Sequence, residues 1–106
     1  MKLLNIFMAS ILALSLTATA SFADSARGQK AFIKFLKEPC GMDGAKFALK
    51  HTQDEWKQIK ADGKAEEEIK KICPNYEMGS VKPNLINNIM DFSIEFASDS
   101  GNVPSC

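Results

Sequence analysis

The side chains best able to do chemistry in this sequence are Cys40, Cys73, Cys106 and His51, with Met42, Met78 and Met90 as softer ligands. Their spacing excludes most of what such residues usually do. Structural zinc sites pair ligands at C-x2–4-C spacing, and here successive cysteines lie 33 residues apart. Thioredoxin-type exchange needs C-x-x-C, which is absent. Covalent haem needs C-x-x-C-H, but Cys40 is followed by Gly41, Met42 and Asp43, and no cysteine precedes a histidine. A disulfide is therefore expected. Cys40–Cys73, Cys73–Cys106 and Cys40–Cys106 are all open on sequence grounds. The first is favoured, because Cys73 ends a helix in step with Ile69 and Cys40 follows a helix directly after Pro39. The second is its rival, because it would tie down a polar tail. Closing a loop of either length contributes roughly 3–4 kcal/mol on the chain-entropy model.

His51 has two readings. It can serve as an axial ligand to iron. It can also precede the helix N-cap Thr52 and pack on Trp56, as a staple does. No nucleophile sits in a motif that would make His51 a general base. Glu66, Glu67 and Glu68 are consecutive, so they point to different helix faces and form no carboxylate pair. A non-enzymatic role is expected.

The elements that carry these residues are helical. Apolar residues at helical spacing mark a first helix over residues 25–36, with Phe32, Phe35 and Leu36 on one face, Ile33 beside them and Lys30, Lys34 and Lys37 opposite. Pro39 argues against continuation. A short piece over residues 45–49 carries Phe47. Thr52 and Glu55 form a capping box for a helix holding Trp56 and Ile59 and closed by Gly63. A helix over residues 65–73 has glutamates in its first turn and Lys70 and Lys71 in its last, as the macrodipole favours. Pro83 opens the longest helix, over residues 83–97, whose stripe is Leu85, Ile89, Phe92 and Phe96, broadened by Ile86 and Met90. The expected core is Phe32, Leu36, Trp56, Ile69, Ile72, Leu85, Ile89, Phe92 and Phe96. No β-branched alternation marks a strand. The fold class expected is all-α: a small orthogonal bundle of four or five short helices, stapled by a disulfide.

Ahead of these helices, Lys2 and the apolar run of residues 3–16, followed by Ser21-Phe22-Ala23, read as a secretory signal peptide cleaved after Ala23. Cleavage there leaves residues 24–106 as one small domain. It removes one of 13 basic residues and none of 13 acidic ones, so the net charge becomes about −1. That balance argues against nucleic acid as the main partner. No later apolar run is long enough to span a membrane. An exported chain enters an oxidising compartment, where a disulfide persists and a small core benefits from one.

Gly28-Gln29-Lys30-Ala31-Phe32 gives G-x-x-x-F on the first helix, and Phe92 and Phe96 give aromatic residues on a long final helix. This layout resembles that of class I c-type cytochromes. The stretches at residues 40–47, 51–56, 71–74 and 97–106 are similar to small exported proteobacterial proteins labelled cytochrome c-like. The resemblance implies a cytochrome c-like bundle in the periplasm, with a periplasmic redox or respiratory protein as partner and the last helix crossing the first. Because the haem motif is missing, it implies a scaffold with no cofactor, in which cysteines replace haem as the stabilising centre. One alternative is noncovalent haem, with His51 as axial ligand and Met78 in the loop where the family places its methionine. A further alternative is a thiol-redox protein using the unpaired cysteine.

Overall fold

The computed structural model describes residues 24–104; the expected signal peptide, residues 1–23, and Cys106 lie outside them. Among the described residues there are five helices and no strand. Helix α1 covers residues 24–40 without interruption. Its middle, Phe32–Leu36, is π-helical, and the Lys37 N–H donates to the Phe32 carbonyl five residues back. An α-helical turn, Lys37–Cys40, then ends at Gly41, whose φ of 62° is the left-handed cap that favours glycine. The helix thus passes the expected end at Leu36. Pro39 stands in the last turn, just before the Gly41 cap, so the bond its missing N–H cannot make is lost only at the helix end.

Helix α2 is Gly44–Ala48, capped by Asp43, whose Oδ1 accepts the Lys46 N–H at 2.9 Å. Helix α3 is Gln53–Ala61 and opens with the expected capping box of Thr52 and Glu55. Helix α4 is Ala65–Ile72, and helix α5 is Pro83–Glu95 with Pro83 in its first turn.

The core is aromatic at its centre. Phe47 lies 5.1 Å from Phe32 and 5.2 Å from Trp56, ring centre to ring centre. The Trp56 indole N–H finds its partner in the Ala48 carbonyl at 2.9 Å. Helix α5 packs on α2, α3 and α4. Two glycines bring α1 and α2 against it. A Cβ on Gly28 would lie 1.9 Å from the Asn88 carbonyl oxygen, and one on Gly44 would lie 2.8 Å from Phe92 Cζ. The first and last helices therefore meet at Gly28, backbone against backbone.

Phe32, Leu36, Trp56, Ile69, Ile89 and Phe92 are buried as expected. Ile72 and Leu85 are only partly buried against the core, and so is Phe96, whose ring lies tilted against Phe92, 5.2 Å centre to centre. The buried face of α5 is Ile86, Ile89, Met90, Phe92 and Ser93, so Leu85 stands at its margin. Ser93 is accommodated by donating its hydroxyl to the Ile89 carbonyl at 2.8 Å. Helix α1 departs further. Phe35 is 37% exposed and Ile33 52%, although Phe35 was expected beside Phe32 and Leu36. The extra residue in the π turn sets later positions back by about 100°, which turns Phe35 off the line that Gly28 and Phe32 follow into the core.

Candidate functional site

Cys40 and Cys73 are joined by a disulfide, with their Cα atoms 4.3 Å apart. Cys73 is fully buried in the core, and Cys40 is partly buried at the end of α1. Both sulfurs are used, so neither Cys73–Cys106 nor Cys40–Cys106 forms. The bond ties the end of α1 to the end of α4 and does the work of a staple.

His51 and Met78 are not brought together. His51 Nε2 lies 2.6 Å from Glu68 Oε1. That contact occupies Nε2, which is therefore not turned toward an open ligand position. Nδ1 faces Glu55 Oε2 at 3.8 Å, and the ring edge rests on Trp56 at 4.7 Å. The staple-like packing on Trp56 is the geometry observed. The Ser98 N–H also donates to the His51 carbonyl at 3.1 Å. Met78 is 54% exposed. Its neighbour Gly79 donates its N–H to Glu66 Oε1 at 3.0 Å. Glu66 and Glu68 are two residues apart on α4, about 200° around the helix, so His51 and Met78 approach different sides of it. These residues do not fit a haem held between them. Among the described residues no cluster of three His, Cys, Asp or Glu side chains is placed to hold a metal ion.

The loop after α4 is bound tightly to that helix. The Tyr76 hydroxyl donates to Glu66 Oε1 at 2.6 Å, and Lys70 Nζ donates to the carbonyls of Pro74 and Tyr76 at 2.8 Å each. Burial, reinforced by the bond to Glu66, pushes the Tyr76 phenol up to about 12. These contacts fix the path into Lys82 and Pro83, and so place Lys82 beside α1.

There an open groove of about 510 Å³ lies between α1 and the start of α5. Arg27, Lys30, Lys34 and Lys82 line it, with Phe35 and Leu85 between them. Lys34 Nζ sits 5.3 Å from the Phe35 ring centre. Among the described residues no carboxylate lines the groove, and none of its four cations is in an ion pair. A second cleft, of about 540 Å³, is different in kind. Its lysines Lys57 and Lys60 face Asp24, Asp91 and Glu95, and Lys60 pairs with Asp91 at 2.6 Å.

Sequence spacing had shown Lys30 and Lys34 as a solvated helix face. It did not reveal that Lys82 joins them, nor that Phe35 and Leu85 lie there. Arg27, Lys30 and Lys34 at i, i+3 and i+7 are the one signal the sequence held. No helix among the described residues is long and apolar enough to cross a membrane. No protein-family model matches the chain, and neither a curated protein nor a solved structure matches it.

Proposed function

We propose that this chain is an exported helical module that works without haem and binds a protein partner in a periplasmic redox or respiratory assembly. The observation that carries the binding role is the groove beside α1, where, among the described residues, four cations stand without a carboxylate. The chain as a whole is balanced, with 13 basic and 13 acidic residues, so the imbalance is local, and a local field of one sign steers and selects an oppositely charged partner. The redox setting is supported by the sequence resemblance to small exported cytochrome c-like proteins. The buried aromatic core and the Cys40–Cys73 bond support a rigid scaffold that needs no prosthetic group to hold its shape.

The test is affinity capture from a periplasmic extract with the disulfide-intact protein, eluted by salt. Recovery of a redox or respiratory protein, eluted as screening rises, is expected. Recovery of no such protein at low ionic strength would overturn the reading, as would a Soret band in the protein purified from its own periplasm.

A further inference from the structure

The geometry points to a more specific occupant of the α1 groove: an acidic protein segment that places one apolar side chain between Phe35 and Leu85 while its carboxylates meet Arg27, Lys30, Lys34 and Lys82. This deepens the partner-binding reading and rests on it. Three observations converge. First, every charged residue among the described ones that line the groove is a cation. Second, its lining also carries apolar side chains, Ala31, Phe35 and Leu85. Third, both large apolar residues of the lining stand at the edge of the faces that helical periodicity would bury. Phe35 is turned outward by the π turn, and Leu85 lies beside the buried face of α5. Single-turn π-helical insertions occur often at functional sites, and this one sits under the groove.

The shape decides between a protein segment and a membrane surface. A helix that lies in a bilayer interface needs large apolar side chains projecting from a broad face. Here Phe35 is only 37% exposed and is overlain by Lys34. An open groove lined by both apolar and cationic side chains instead resembles half of a protein interface. Such interfaces put an apolar anchor in a central pocket and charge at the edge.

The probe is a short synthetic peptide with one phenylalanine flanked on both sides by glutamates, titrated into the disulfide-intact protein and followed by amide chemical shifts. Binding should shift residues of α1 and the start of α5, weaken about tenfold or more when the peptide phenylalanine becomes alanine, and weaken similarly in Lys30→Glu/Lys34→Glu. Phe35→Ala should reproduce the loss of the peptide anchor while leaving the salt dependence intact. Binding indifferent to the peptide anchor and to these variants would overturn the inference, and so would no binding. Binding instead to vesicles of phosphatidylglycerol and phosphatidylethanolamine, lost in Lys30→Glu/Lys34→Glu, would assign the face to a membrane and equally overturn it. The affinity capture separates the two levels. A redox protein captured equally by wild type and Lys30→Glu/Lys34→Glu would leave the partner-binding reading standing and remove the groove from it. Anchor-dependent peptide binding with no redox protein captured would do the reverse.

Discussion

Tyr76 is the only tyrosine in the chain, which makes its hydroxyl a clean reporter of the loop that carries Lys82 to the groove. It is buried, and it donates to Glu66 at 2.6 Å. Burial and that bond raise its pKa from 10.0 to about 12. Between those values the folded chain keeps the phenolic proton and the unfolded chain has lost it, so stability falls as pH rises. The contribution is complete below about pH 10 and gone above about pH 12, and amounts to roughly 2–3 kcal/mol across that window. Tyr76→Phe keeps the ring and removes the titration. At neutral pH it should cost about 1–3 kcal/mol, because Glu66 loses a donor and keeps only the Gly79 N–H. From about pH 9 to about pH 11 the wild type should then lose roughly 1 kcal/mol more than the variant does. Urea unfolding at each pH measures the difference, in which the lysine titrations common to both proteins cancel. Tyrosinate absorbance of the folded protein gives the midpoint directly. A folded midpoint near 10, or parallel pH profiles for the two proteins, would refute the buried bond and with it the fixed loop.

Replacing Cys40 and Cys73 together by alanine should cost roughly 3–4 kcal/mol by urea unfolding, and non-reducing peptide mapping of the wild type should join those two residues. Gly28→Ala should cost about 1–3 kcal/mol or more, since its Cβ would meet the Asn88 carbonyl at 1.9 Å and backbone must move; a neutral thermal shift would show that α1 and α5 do not meet there. Thr52→Ala should cost about 1 kcal/mol, as its hydroxyl accepts the Glu55 N–H. The Glu55 carboxyl is held below its ordinary 4.5, chiefly by the Thr52 N–H. Its contribution is therefore present above pH 4.5 and lost as pH falls, and a carboxyl carbon titration should place its midpoint below that value.

What the sequence made legible was local. Thr52 with Glu55, Pro83 in the first turn of α5 and Gly63 after α3 act within a turn of themselves, and all sit where expected. The Cys40–Cys73 bond was foreseeable because each cysteine ends a helix, although choosing it over its rival needed the fold. Phe35 was misread because its direction depends on the π turn, which no local propensity announces. The burial of Tyr76 in its loop could not be read from its sequence neighbours, because it depends on Glu66, ten positions earlier, and on Lys70. The groove was hidden for a related reason: Lys82 and Leu85 reach Lys34 and Phe35 only after the loop is clamped and Gly28 lets α1 close on α5.

That arrangement also has a stability consequence opposite to the usual one. Fully burying a phenylalanine gains about 1.5–3 kcal/mol, and Phe35, left 37% exposed, forgoes part of it. Arg27, Lys30 and Lys34 lie three and four positions apart on one helix, a spacing at which like charges repel by a few tenths of a kcal/mol per pair. Lys30→Glu converts both neighbours from repulsion to attraction, and it places a glutamate four residues before Lys34, the better orientation for such a pair. It lies in the middle of α1, away from the ends where a lysine would favour the macrodipole. The free protein should therefore become more stable by about 0.5–1 kcal/mol, even as it loses the acidic peptide. Urea midpoints of wild type and Lys30→Glu, compared at low salt and again at high salt where the gain should fade, test this. A loss of stability would mean that Lys30 supports the fold, and that the cations of the groove are there for α1 rather than for a partner.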